Sequence, residues 1–412
     1  MKKAEVVVKG LGYVGIPTAA ILSNSRISVY GLDINEELVG RISDARFHST
    51  EPLLADMIKS SVARGYLRVG VSMDVQADVY MVVVPTPFVD GKPDISYVED
   101  AFKSLLGFLK EGDLCIIEST CPIGTTEKME RLILDARPEL KDKIYLAYCP
   151  ERVLPGNMIY EMINNDKIVG GINPASSEKA IKFYSRYILG ELHPTDSKTA
   201  ELSKLAENAY RDTQIAFANE LSMISHKVGV DHKKVIELVN KHPRVDVLSP
   251  GCGVGGHCIA VDPLFLVSQY PEQTDLIRTA RDVNNEKSLW CFRRIEESIN
   301  KFIAANKVNP DIAILGLAYK PDVDDLRLSP AAFITERVLS KYKDLKTSIV
   351  EPNLSFHPSY KLTEQEAAIA GADIIILLVA HSSFKLLKFS DDHLVLDFCG
   401  FQKKPEKHNR II

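Results

Sequence analysis

The sequence predicts an α/β protein built from two Rossmann-like doubly wound domains joined by a central long helix. Three observations carry that expectation. An N-terminal strand runs into a glycine turn, a helix and a second strand that ends in an acid. A second series of buried strands begins near residue 311. Between them lies a stretch rich in Ala, Leu, Glu and Lys, which are good helix formers. At 412 residues the chain exceeds what one hydrophobic core ordinarily organises. The expected domains are 1–192, a central helical 193–308 and 309–412.

The first domain opens with Glu5-Val6-Val7-Val8, an apolar run short enough for a buried strand. Gly10-Leu11-Gly12-Tyr13-Val14-Gly15 follows, then a small-residue helix through Thr18 to Leu22 and a strand, Ile27 to Leu32, ending at Asp33. This is G-x-G-x-x-G in its strand–turn–helix setting. Gly10 makes the turn, Gly12 admits a pyrophosphate and Gly15 lets the helix pack on the sheet. Asp33 stands where a carboxylate accepts the ribose hydroxyls, which favours NAD over its 2′-phosphorylated relative. Strands are expected at Val79–Val84, Leu114–Glu118 and Ile144–Tyr148, each ending in polar residues at the carboxyl edge where open parallel sheets bind ligands. Thr86 and Thr120 there serve either as hydroxyl donors to a ligand or as ordinary turn and cap residues.

The pattern changes near residue 192. A helix is expected from Ser197 to His226, capped by Asp196 or Ser197, with further helices at Lys233–Asn240 and Thr274–Ala305. Lys204, Asn208 and Arg211 are spaced to share one helix face, as a solvated stripe or a site. The last domain begins with the strand Ile312–Leu315 and continues through Ser348–Val350, Asp373–Val379 and Leu394–Asp397. It has one early glycine, Gly316, so the dinucleotide fingerprint is not repeated. Lys320 and Arg327 follow its first strand, where a phosphate would sit, though Asp322, Asp324 and Asp325 make a solvated mixed-charge loop the alternative. The tail from Lys403 is polar and expected to be mobile.

Composition narrows the function classes. Net charge is −5 without a long basic run, which argues against nucleic acid as partner. No apolar stretch reaches the ~18–20 residues of a membrane span. The seven cysteines include no CxxC pair, which suits a reducing cytoplasm, and no cluster has metal-ligand spacing, so no metal is expected.

The chemistry is suggested by Gly251-Cys252-Gly253-Val254-Gly255-Gly256-His257-Cys258-Ile259-Ala260-Val261-Asp262. Glycines let backbone approach a ligand, and a thiol beside such backbone can meet substrate where amides face developing charge. A buried structural cysteine is the alternative. With NAD, a nucleophilic Cys258 permits aldehyde capture, a thioester and release of a carboxylate. Lys204 would stabilise the oxyanion, Asp262 would orient Lys204 or a water, and Glu151 would activate that water.

Taken together, GLGYVGIPTA, VPTPF, ESTCPIGTTEKM, AYCPERVLPG, AELSKLAENAYRD, NKHPRV, GVGGHCIAVDP and LGLAYKPDVDDLRLSP resemble the UDP-glucose/GDP-mannose dehydrogenase family over nearly the whole chain. CPERVLPG, NKHPRV and GVGGHCIAVDP resemble its UDP-N-acetyl-D-mannosamine branch most. The resemblance implies two oxidations at C6 of that UDP-sugar, using two NAD+, for a surface polysaccharide or glycan. It implies Cys258 as nucleophile with Lys204 as its catalytic partner; Asn208, Asp262, Glu151 and Thr120 are the further catalytic candidates. Tyr13, Val14, Asp33, Thr86, Thr120 and Arg327 match cofactor positions. Arg152, Val153, Lys204, Asn208, Arg211, His242, Arg244, Gly255 and Lys320 match sugar-nucleotide positions. A homodimer or higher homo-oligomer is expected. Three features depart from the family pattern: Lys9 ends the first strand, Cys252 adds a second thiol near Cys258, and Gly400-Phe401-Gln402-Lys403-Lys404 lacks a Trp-Arg ending. Alternatives are a UDP-N-acetylglucosamine or UDP-glucose dehydrogenase, a two-electron β-hydroxyacid-type dehydrogenase, and a non-catalytic nucleotide-sugar sensor.

Overall fold

The structure, a computed structural model, describes residues 2–49, 51–153 and 156–400. The mobile tail expected from Lys403 onward, and most of Gly400–Lys404, lie outside these residues. The chain divides into two compact units, Met1–Ala206 and Glu207–Ile412.

In the first unit, eight strands among the described residues form one sheet. They are β1 (Val6–Lys9), β2 (Val29–Leu32), β3 (Leu67–Gly70), β4 (Val79–Val82), β5 (Leu114–Ile117), β6 (Tyr145–Tyr148), β7 (Lys167–Gly171) and β8 (Leu192–Asp196). Their order is β8-β7-β6-β5-β4-β1-β2-β3. The part β3-β2-β1-β4-β5-β6 is the dinucleotide-binding order, with its reversal between β1 and β4. Strands β4 and β5 are buried at every position, as expected for parallel strands covered on both faces. Two apolar clusters fill those faces. One includes Val6, Val8 and Met81, the other Val7, Tyr80 and Val82, so alternate residues of β1 and β4 point to opposite sides.

Strand β7 pairs antiparallel with β6, Ala147 opposite Gly171, and β8 runs parallel to β7. The sheet therefore extends through Asp196, and residue 192, expected as a domain boundary, is the first residue of β8. Asp196 then caps the next helix: its Oδ1 accepts from the Thr199 amide at 2.9 Å and its Oδ2 from the Thr199 hydroxyl at 2.6 Å.

That helix belongs to both units by sequence. We label it α2 (Ser197–Val228), after α1 (Gly15–Asn24) of the glycine turn. The second unit continues with α3 (His232–Val239), α4 (Asp262–Gln269) and α5 (Asp275–Asn306). Its sheet has the strands β9 (Ile312–Leu315), β10 (Thr347–Val350), β11 (Ile374–Leu377) and β12 (Leu394–Asp397), all parallel, in the order β10-β9-β11-β12. Its order reverses between β9 and β11, which locates a second ligand edge. Cys291, Phe292, Ile295 and Ile299 of α5 cover one face of this sheet. Among the described residues no helix is long and apolar enough to cross a membrane.

Candidate functional site

The first unit supplies a dinucleotide cradle. Gly10 has φ +96°, and a Cβ on Gly15 would lie 1.8 Å from the Gly10 carbonyl oxygen, so α1 can start only where it does with glycine there. Around Gly12 a Cβ would meet no atom within 4 Å, leaving its backbone open to a ligand. Asp33 lies at the end of β2, beside the turn. Its Oδ2 accepts from the Leu11 amide at 2.7 Å and its Oδ1 from the Asn35 amide at 2.9 Å. Roughly half of its four or so acceptor sites remain for ribose hydroxyls. These residues fit NAD. Tyr13 is exposed beside them, and Val14 is the N-cap of α1, packed partly against the core. Lys9 directs its ammonium to the Ser104 hydroxyl, and burial lowers its pKa. The hydroxyl of Thr86 donates to the Thr120 carbonyl at 2.5 Å, tying together the loops after β4 and β5.

Glu151 follows β6. Its carboxylate accepts from the Lys167 ammonium at 2.8 Å and from the Arg152 amide at 2.9 Å. Its carbonyl accepts from the Lys204 ammonium at 2.6 Å. Lys204 and Glu151 are thus brought together through backbone rather than through opposite charges, and the lysine keeps two further donors. The Arg152 guanidinium reaches the Asp166 carbonyl, and Val153 packs on the core edge.

The second unit carries the thiol. Cys258 is partly exposed, and its carbonyl accepts from the Asp262 amide at 2.8 Å, opening α4. Asp262 is buried, and its Oδ2 accepts from the Asn208 side-chain amide at 2.6 Å. The carboxylate expected to orient Lys204 or a water is therefore placed on Asn208. The loop before Cys258 is clamped: the Gly256 amide donates to the Arg327 carbonyl at 2.9 Å. A Cβ on Gly255 would lie 2.5 Å from the Leu328 carbonyl oxygen. Cys258 sits close enough to Tyr319, Lys320 and Arg327 to act on each electrostatically. Lys320 has its pKa lowered by burial and then by Arg211, against the pull of Asp325 and Cys258. The Asp325 carboxylate takes the Arg327 guanidinium at 2.6–3.0 Å and holds its pKa up. Lys320 and Arg327 thus lie near the thiol, in a loop whose Asp325 pairs with Arg327.

His242 and Arg244 lie on an exposed turn after α3, where the Arg244 amide donates to the imidazole Nδ1 at 3.3 Å. Cys252 is buried, and its thiol donates to the Leu378 carbonyl at 3.2 Å, so this second thiol is part of the core. Asp166, Glu191 and His193 have ligand-type atoms within 4.8 Å of one another, all on exposed side chains.

Among the buried charged groups that sequence reasoning does not single out, two lie close to the expected ligand edges. Lys167 and Glu118 sit behind Glu151. Glu351 directly follows β10, and its Oε2 accepts from the Leu317 and Ala318 amides at 2.7 and 2.9 Å and meets His381 Nε2 at 3.1 Å. It repeats the place of Asp33 beside the turn after β9, but is sealed by the imidazole. For Glu118 and Glu351 the available signal is a charged residue directly after an apolar strand.

Residues 4–188 match the NAD binding domain of the UDP-glucose/GDP-mannose dehydrogenase family, 198–286 its central domain and 313–403 its UDP binding domain. The chain is 44% identical to the UDP-N-acetyl-D-mannosamine dehydrogenase of Escherichia coli K12 over 411 residues, covering 95% of this chain and 97% of that one. It is 43% identical to an NDP-N-acetyl-D-galactosaminuronic acid dehydrogenase of Ralstonia nicotianae, with 92% and 91% covered. The solved UDP-D-ManNAc dehydrogenase of Pyrococcus horikoshii superposes with a TM-score of 0.90 at 34% identity, covering 97% of this chain and 96% of that one.

Proposed function

Because the chain belongs to the UDP-glucose/GDP-mannose dehydrogenase family, we propose that it oxidises C6 of UDP-N-acetyl-D-mannosamine to the uronate, with NAD+ as acceptor. The observation that carries the four-electron reading is local to the thiol. The carbonyl of Cys258 opens α4, whose first residue, Asp262, holds the buried Asn208 amide. Such an anchor fixes both a nucleophile and an amide donor, which plain alcohol oxidation does not need.

NAD+ held by the Gly10–Gly15 turn and Asp33 would supply the hydride acceptor for two oxidations, that of the C6 alcohol and that of the sulfur adduct. The protein does the rest. Lys204 and the Asn208 amide hold the C6 oxygen and stabilise its negative charge. The Cys258 sulfur adds to the aldehyde carbon, forming a C–S bond and a thiohemiacetal, which keeps the aldehyde from leaving. Its oxidation gives a thioester. Glu151 takes a proton from water, the new oxygen bonds to the carbonyl carbon, the C–S bond breaks and the departing sulfur receives the proton back from Glu151 as the uronic acid ionises to solvent. Lys320 holds the UDP phosphates, while Arg152, Arg211, His242 and Arg244 contribute to the sugar-nucleotide contacts. Arg327, Thr86 and Thr120 contribute to cofactor binding.

A panel of UDP-sugars with NADH formation as readout tests the substrate. The account expects UDP-N-acetyl-D-mannosamine to give the highest kcat/KM. Preference for UDP-glucose or UDP-N-acetylglucosamine would overturn it. The Ralstonia relative makes a 2-acetamido galactose nucleotide a necessary member of the panel.

We also assign the exposed face of α2 to a homodimer. Tyr210, Phe217 and Ile224 recur every seven residues and are 65%, 57% and 53% exposed. Light scattering of F217D should show a smaller particle than wild type, and a wild-type monomer would refute the assignment. We further propose that the reaction takes place in a reducing cytoplasm, which suits seven cysteines without a CxxC pair, and that the product feeds a polysaccharide or glycan.

A further inference from the structure

Behind Glu151 lies a row of buried polar groups that the reaction scheme leaves unused. Adjacent strands β5, β6 and β7 bring Glu118, Glu151 and Lys167 together. The Lys167 ammonium is 2.8 Å from Glu151 Oε2 and 3.2 Å from Glu118 Oε1. Side-chain exposure is 6% for Lys167, 1% for Glu118 and 11% for Glu151, so solvent screens none of these contacts well. Glu118 also accepts from the Tyr184 hydroxyl at 2.7 Å and from the Thr18 hydroxyl of α1 at 3.3 Å.

Two carboxylates and one ammonium do not make a neutral structural pair. A fold that needed only to bury Lys167 would supply one partner, since each added buried charge costs desolvation. The surplus carboxylate leaves the group able to hold one more proton. Burial pushes the Glu118 carboxyl up, Lys167 opposes this, and Glu151 adds to it. Burial would lower Lys167, but Glu118 and Glu151 together hold its pKa above the ordinary lysine value. The lysine therefore stays charged while two acids compete for it. One competitor is the residue whose backbone receives Lys204.

We propose that Lys167 and Glu118 are a positioning pair for Glu151, in which Lys167 holds the Glu151 carboxylate in place and Glu118 draws off part of that lysine's field. The inference rests on the reading of Glu151 as the base for thioester hydrolysis. It predicts opposite consequences for the two members of the pair, which a merely structural role does not.

The test uses the full-length protein with K167M, K167R and E118Q. In K167M, kcat for uronate formation falls about a hundredfold, as loss of general-base function does. KM for the UDP-sugar stays within about twofold, and the acid limb of the kcat profile moves up by about one pH unit. E118Q moves that limb down, and K167R restores most of the turnover. Limbs that shift the same way in K167M and E118Q, or do not shift, overturn the proposal. A substrate-free readout separates it from the functional reading: carbon-13 carboxyl NMR of glutamate-labelled protein, assigned with E118Q and E151Q. Proton uptake by the acid group should move to higher pH in K167M and lower pH in E118Q. Opposed NMR shifts without turnover of any UDP-sugar overturn the functional reading alone. Turnover without opposed shifts overturns the role of the pair alone.

Discussion

Replacing Gly255 by alanine should cripple the enzyme while leaving it able to bind NAD. The added Cβ would lie 2.5 Å from the Leu328 carbonyl oxygen, 2.8 Å from Pro330 Cδ and 2.9 Å from Tyr319 Cβ. None of these atoms is the free end of a flexible side chain. Restoring ordinary contact at ~3.5 Å requires the loop and its clamp to separate by about 1 Å. Overpacking of this kind costs about 1–3 kcal/mol of stability. Cys258 is three residues further on, so the displacement reaches the thiol, and about 1 Å of misplacement costs on the order of a hundredfold in rate. The assay is kcat for uronate formation at saturating NAD+ and UDP-sugar, with NAD binding followed by fluorescence. G251A is the control, because its Cβ would meet nothing nearer than the Gly253 carbonyl oxygen at 3.9 Å. Activity of G255A within about twofold of G251A would refute the claim that a clamped loop places the thiol.

Three further outcomes follow from the same geometry. C258A should lose acid formation and retain NAD binding in a titration; acid formation at more than a trace would remove the thiol from the mechanism. N208A leaves the buried Asp262 carboxylate without its 2.6 Å donor, so denaturant unfolding should show a loss of about 1.5–3 kcal/mol, with kcat reduced. Glu351 tests pH dependence. Burial would raise its pKa, but the hydrogen bond from His381 and the Leu317 and Ala318 amides override this and hold the carboxyl below the ordinary glutamate value. Its stabilisation is therefore present above the unfolded glutamate pKa, about 4.3, and is lost as pH falls through the lower folded value. E351Q should be less stable at pH 7 by about 2 kcal/mol and less sensitive to acid in unfolding scans, whereas parallel wild-type and E351Q profiles would contradict this.

Much of the fold could be read in the chain because buried parallel strands are unbroken apolar runs. Val79–Val82 and Leu114–Ile117 are such runs, buried at every position. Strand β8 could not be read that way. Its residues, Leu-His-Pro-Thr-Asp, are mostly exposed at a sheet edge, so they carry neither alternation nor an apolar run. Hydrogen-bond partners were the least legible feature. Spacing put Lys204 and Asn208 on one helix face, but the acceptor of each depends on distant loops. Lys204 meets the Glu151 carbonyl and Asn208 meets Asp262. Lys167 begins the strand Lys-Ile-Val-Gly-Gly, where a charged first residue normally points to water; only the adjacent strand ends carrying Glu118 and Glu151 make it a buried cation.

The central claim is that one thiol retains the aldehyde between two oxidations of the same carbon. Counting NADH formed against uronic acid released from UDP-N-acetyl-D-mannosamine tests it most directly. The account predicts two NADH for each uronate, with no aldehyde trapped by an added carbonyl reagent. One NADH for each product molecule, with free aldehyde captured, would contradict it.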